Sequence, residues 1–158
     1  MSQWIPYYEL VVPRIGGLLS CTGSGYILQD VLRNPDVHSN SIYRHIMLGL
    51  STMDILSSLF FWFIGSWAMP KGSGPASAGN MTTCDIAAVL GFVGTLGSTL
   101  YNGALSTYFL LQLKYNWVDR RMEEIEKWLH IVPCAIPLLG SIPIFAAKMF
   151  GPSDGRCS

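Results

Sequence analysis

The sequence predicts an all-α membrane protein, a single domain over 1–158 built from four transmembrane helices. Three observations carry that expectation. Half of the 158 residues are hydrophobic and only 13% are Asp, Glu, Lys or Arg, against about 25% in soluble domains. The charges are clustered, so long stretches have none. The longest, 86–113, runs 28 residues without Asp, Glu, Lys, Arg or His, where about 20 apolar residues suffice to cross a bilayer.

The first span is expected over 7–32. It contains Glu9, Arg14 and Asp30, and its uncharged part, 15–29, is rich in Gly and Ser. Arg14 can snorkel toward one face while Asp30 lies near the other. The alternative is an interfacial helix lying on one leaflet. The second span, 46–67, carries the single charge Asp54. The third, 84–115, has small residues at Gly91, Gly94, Gly97, Ser98, Gly103, Ala104 and Ser106, which permit close contact with several neighbours and suit a central helix. The fourth, 128–150, holds Pro133, Pro137 and Pro143 and is expected to bend. The first ten residues lack the pattern of a cleaved signal peptide, so the first span is expected to direct its own insertion.

Basic residues orient the helices. Arg33 and Arg44 flank the first connection, and Lys114, Arg120, Arg121 and Lys127 crowd the third, whereas the second has only Lys71. The positive-inside rule puts connections one and three in the cytoplasm. The N-terminus, the second connection and the tail are then external, on the plasma membrane or another membrane of the secretory route. Asn80-Met81-Thr82 is an N-x-T glycosylation tripeptide on that outer side. Cys84 and Cys157 share the same oxidising side, which allows a disulfide between them; the alternative is a free Cys157. Cys21 and Cys134 fall inside spans and behave as small apolar side chains.

The chain offers little chemistry. Ten basic residues balance ten acidic ones, so there is no case for nucleic acid. The glycine-rich stretch 72–79 lacks the Gly-Lys-Ser/Thr of a phosphate loop and reads as a flexible turn. His38, His45 and His130 are not at metal-ligand spacing along the chain. With no Ser-His-Asp set and no paired carboxylates, neither enzyme activity nor a cofactor is expected. The segment 119–127 pairs Arg120 with Glu124 and Glu123 with Lys127 at i,i+4. It is either a solvated helical extension into the fourth span or, with Arg33 and Arg44, a docking surface for a cytosolic partner. Asp54 is the most expensive residue, since a carboxylate within the membrane costs about 2.5–3.5 kcal/mol even on the mildest insertion scale. It is expected to face the bundle, toward Ser98, Tyr101 or Asn102, as a switching or ion-binding network or as a packing hydrogen bond.

Several of these features together resemble the front half of a seven-helix receptor. They are the external N-terminus, the acid in Leu50-Ser51-Thr52-Met53-Asp54, Cys84 opening the third helix, and Cys157 standing where the second external loop carries its cysteine partner. Tyr108-Phe109-Leu110-Leu111-Gln112-Leu113-Lys114, then Glu126-Lys127-Trp128 leading to Pro137-Leu138-Leu139-Gly140-Ser141, are similar to the cyclic-AMP-receptor-like and secretin-like group of G-protein-coupled receptors. The Asp-Arg-Tyr switch of rhodopsin-like receptors is absent: Tyr108-Phe109-Leu110 stands at its place and Asp119-Arg120-Arg121 lies too late. The resemblance implies transmembrane signalling through a heterotrimeric G protein in a complete receptor. It also implies that this chain is a fragment not competent to signal alone, because seven spans of about 20 residues need about 140 before any loop. The alternatives are a self-contained four-helix scaffold or assembly protein and a transporter or channel subunit.

Overall fold

Local chemistry fixes where the helices begin and end. The protein is described by a computed structural model that covers residues 5–34, 41–65, 67–71, 77–115, 119–147, 152–153 and 156–157. Helix α1 (Ile5–Arg33) stops ahead of Pro35, since proline disfavours helical backbone in the residue before it. Asn34 closes its last turn, donating its backbone N–H to the Asp30 carbonyl at 3.0 Å and its side-chain amide to the Asp30 carboxylate at 2.7 Å. Helix α2 (Ser41–Ser57) runs on as a π-helical segment, Ser58–Ile64. Helix α3 (Met81–Tyr115) starts behind a reciprocal cap. Thr83 N–H donates to the Asn80 side-chain oxygen at 2.9 Å, and Asn80 N–H donates to the Thr83 hydroxyl at 2.8 Å. Two of the four orphan donors of a helix start are so satisfied.

Helix α4 (Asp119–Ala146) begins well before the expected 128, so the segment 119–127 is helical and continuous with the apolar run. It is unbroken through Pro133, Pro137 and Pro143, and the first two are fully buried. After α4 the chain makes a two-residue hairpin, β1 (Pro152–Ser153) with β2 (Arg156–Cys157). The expected helix from 46 to 67 is therefore corrected: α-helical geometry ends at Ser57, and the remainder to Ile64 has the wider i→i+5 turn.

Helix α1 packs on α2 and its π-helical extension, α2 packs on α3, and α3 packs on α4. Helices α2 and α3 approach closely. A Cβ on Gly94 would strike the backbone of Ser57, and a Cβ on Gly49 would come within 2.5 Å of the Tyr101 ring. Ser57 and Thr95 hydroxyls meet across the same seam at 2.8 Å. The small-residue stripe is therefore used only in part: Gly91, Gly94, Gly97 and Ala104 are buried, whereas Gly103 and Ser106 are exposed.

Two apolar clusters follow. At one end, Ile42, Ile46, Tyr101, Ala104, Tyr108 and Leu129 bring α2, α3 and α4 together. At the other, Ala68, Met69, Cys84, Ala87, Ala88 and Cys157 gather around a Cys84–Cys157 disulfide. There Cys157 N–H donates to the Gly65 carbonyl at 3.3 Å, and Thr83 Oγ donates to the Ala68 carbonyl at 2.9 Å. Cys21 and Cys134 are free thiols.

Among the described residues, two helices, over Met81–Lys114 and Glu124–Ala146, are long and apolar enough to cross a membrane. Their burial is low for core helices, 39% and 22% of the most apolar window. On α4 the buried residues are Leu129, Pro133, Pro137 and Ser141, while Trp128, Ile131, Ile136, Leu138, Leu139, Ile142 and Phe145 are exposed.

Two predictions test this packing. Gly94→Ala should lower stability by about 1–3 kcal/mol, the usual overpacking range, while Gly103→Ala, with nothing within 4 Å of its new methyl, should be neutral; unfolding in detergent compares them. Cys84→Ser should also destabilise. The bridge spans a sequence separation of 73, and the chain-entropy model gives roughly 4–5 kcal/mol for such a loop. Helices held by their surroundings gain less, so a loss of about 1–3 kcal/mol is expected, with a Cys84–Cys157 linked peptide in non-reducing mass spectrometry of the wild type.

Candidate functional site

Helix phase decides which polar side chains meet. Residues on α2 that face α3, among them Met53 and Ser57, are four apart and share one side. Asp54 is one residue on from Met53, about 100° around the helix, and so faces α1. Its Oδ2 accepts hydrogen bonds from Ser24 Oγ at 2.5 Å and Ser20 Oγ at 3.2 Å. Ser20 and Ser24 lie at i,i+4 and present both hydroxyls from one side of α1. Asp54 is half-buried and Ser24 buried, so these bonds are partly shielded from water and hold α1 to α2.

The expectation that Asp54 meets Ser98, Tyr101 or Asn102 is thus corrected. Asn102 is exposed and donates its amide to the Ser98 carbonyl of its own helix at 3.1 Å. Tyr101 is buried but turns the other way, toward α4. Its hydroxyl lies 3.2 Å from His130 Nδ1 and 3.4 Å from Cys134 Sγ. Arg14 holds its guanidinium 5.7 Å from the Trp67 ring centre, a cation–π contact that joins α1 to the connection before α3.

The second polar cluster was not expected from chain spacing. His45, in the second turn of α2, has Nδ1 at 2.7 Å from Glu126 Oε1 on α4. One turn further along α4, His130 stacks edge-on to His45 with ring centres 6.2 Å apart. One ligand-type atom from each of His45, Glu126 and His130 lies within 4.8 Å of the others, the group among the described residues that could hold a metal ion. His130 Nε2 is buried and has no hydrogen-bond partner. Chain spacing keeps His45 and His130 apart, and the fold brings them together; His38 lies outside the described residues. The signal that could have found it is Glu126 and His130 at i,i+4.

Of the residues expected at a cytosolic surface, Arg33, Glu124 and Lys127 are exposed and Arg44 is half-buried. The side chains of Arg120, Arg121 and Glu123 lie outside the described residues, as do 72–76 of the glycine-rich turn. Asn80 is exposed, with its side-chain oxygen engaged in the α3 cap.

No family model, curated protein or solved structure matches this chain.

Asp54→Asn should fold as the wild type does, because the amide oxygen still accepts from Ser24. Asp54→Leu strands two hydroxyls and should cost about 1–3 kcal/mol. Limited proteolysis reads the result: α1 should be released faster from Asp54→Leu, and equal rates would mean that Asp54 does not hold it.

Proposed function

We propose that the protein is an integral membrane protein of four spans with an external N-terminus, similar to the first four helices of a G-protein-coupled receptor. The observation that carries the membrane reading is the inverted polarity of α4. In water a helix turns its large apolar side chains inward. Here proline and serine are inside, with Leu138, Leu139, Ile142 and Phe145 outside. An outward apolar face belongs in lipid, where tight helix contacts are made by small and polar residues.

The receptor reading is supported by the resemblance in sequence and by the Cys84–Cys157 bridge, which ties the start of α3 to the chain beyond α4. In such a bundle, Arg33, Arg44, Glu124 and Lys127 stand at the helix ends on the cytosolic side, where a heterotrimeric G protein docks. Turnover of a signal needs the other helices of the bundle, so binding is the relevant readout. A second reading, a membrane scaffold, is favoured by the open groove of about 400 Å³ between α3 and α4, lined by Ile86, Leu90, Ile142 and Phe145, which a further apolar helix would fill.

Topology is tested with a membrane-impermeant thiol reagent on intact cells. Lys71→Cys should be labelled and Lys127→Cys protected; the reverse pattern would sink the orientation. In nucleotide-depleted membranes the purified chain should retain G protein, and the triple change Arg33→Glu, Arg44→Glu, Lys127→Glu should reduce retention at least about fivefold, or about 1 kcal/mol. A correctly oriented chain that retains none leaves the membrane reading standing and replaces the receptor with the scaffold.

A further inference from the structure

We propose that His45, Glu126 and His130 form a site for one divalent transition-metal ion, of which zinc fits best, clamping the start of α2 to α4. The inference rests on the α2–α4 geometry and not on the receptor reading. Three donor atoms from two helices already lie within 4.8 Å of one another. Around zinc, with bonds of about 2.0–2.2 Å, ligand atoms in tetrahedral array stand about 3.3 Å apart. The gap to be closed between donor atoms is then at most about 1.5 Å.

The donor set selects the ion. Two imidazoles and one carboxylate suit zinc and its neighbours, whereas calcium and magnesium prefer oxygen alone. His130 supplies the sharper argument. Tyr101 occupies its Nδ1 at 3.2 Å, while Nε2 is buried without a partner. A metal-binding imidazole is oriented by a hydrogen bond at its other nitrogen, so the Tyr101 hydroxyl acts as a positioning group and Nε2 is the donor. His45 Nδ1 and Glu126 Oε1 meet at 2.7 Å across one hydrogen bond. The ion takes the place of that hydrogen, which moves to His45 Nε2, so that the Nδ1 lone pair and the carboxylate both face the metal. The His45 side chain is 44% exposed, which gives the ion a way in and leaves a fourth position for water.

The test uses the full chain in detergent, stripped with chelator and carrying no histidine tag. Cobalt(II) is the spectroscopic probe and zinc the competitor. One cobalt per chain should bind, with the visible ligand-field bands of a four- or five-coordinate ion, and zinc should displace it. His45→Gln, Glu126→Gln and His130→Gln should each weaken zinc at least about a hundredfold, and Tyr101→Phe about tenfold. Absence of saturable cobalt binding by the wild type, or affinity unchanged in His45→Gln and Glu126→Gln, overturns the proposal in favour of a plain imidazole–carboxylate pair. Should Glu126→Gln or His130→Gln fail to fold, the exposed His45 decides. Zinc should then raise the unfolding temperature of the wild type and not that of His45→Gln, and an equal rise in both refutes the site.

Discussion

The contact on which the rest of the structure depends is the meeting of Gly94 with the backbone of Ser57. With no side chain at Gly94, α3 approaches α2 until backbone nearly touches backbone. That approach sets the phase of both helices. Gly49 comes to lie against the Tyr101 ring and Met53 against Gly97, so Tyr101 is pressed toward α4 and reaches His130 and Cys134. On α2 the same rotation turns Asp54 away from α3 and onto Ser20 and Ser24 of α1. One glycine contact therefore separates two polar clusters that would otherwise compete for the same groove.

The two clusters differ in what they hold. The Asp54 cluster fastens α1 by hydroxyl donors to a carboxylate, partly shielded from competing water. Each of its members belongs to α1 or α2. The His45–Glu126 pair joins α2 to α4 across a sequence separation of 81, with His130 and Tyr101 behind it. Between them the apolar cluster of Ile42, Ile46, Tyr101 and Leu129 closes the same three-helix end. The polar pairs thus sit where helices from distant parts of the sequence converge, the Asp54 cluster half-shielded between α1 and α2 and His45 open to water at the rim of α2 and α4.

How much of this was legible follows from which information a sequence carries. Hydropathy located α1, α3 and the apolar run of α4 closely, because the exclusion of charge from such a stretch is a local property. Compartment logic brought Cys84 and Cys157 into one place. The partner of Asp54 was not legible, since a residue on α2 differs from its neighbour by about 100° of rotation and nothing local fixes that angle. The π-helical turn from Ser58 to Ile64 has no residue-type signature either; it shows only when the backbone is traced. The histidine cluster fell between the two cases. Glu126 and His130 were visible as a one-turn pair, but His45 joins them only through the α2–α4 crossing.

The disulfide also orders events in time. Its two cysteines are 73 positions apart with most of α3 and all of α4 between them. At about 5–20 residues per second, synthesis of that interval takes on the order of 4–15 seconds. Throughout it Cys84 is a thiol at the start of a newly made helix, and only the arrival of Cys157 removes it. Until then the Asn80–Thr83 cap, complete within four residues, and the Thr83 bond to the Ala68 carbonyl hold that end of α3. The bridge can therefore form only after α3 and α4 have both been made, and a free thiol at position 84 marks a molecule in which those two helices are not yet closed on each other.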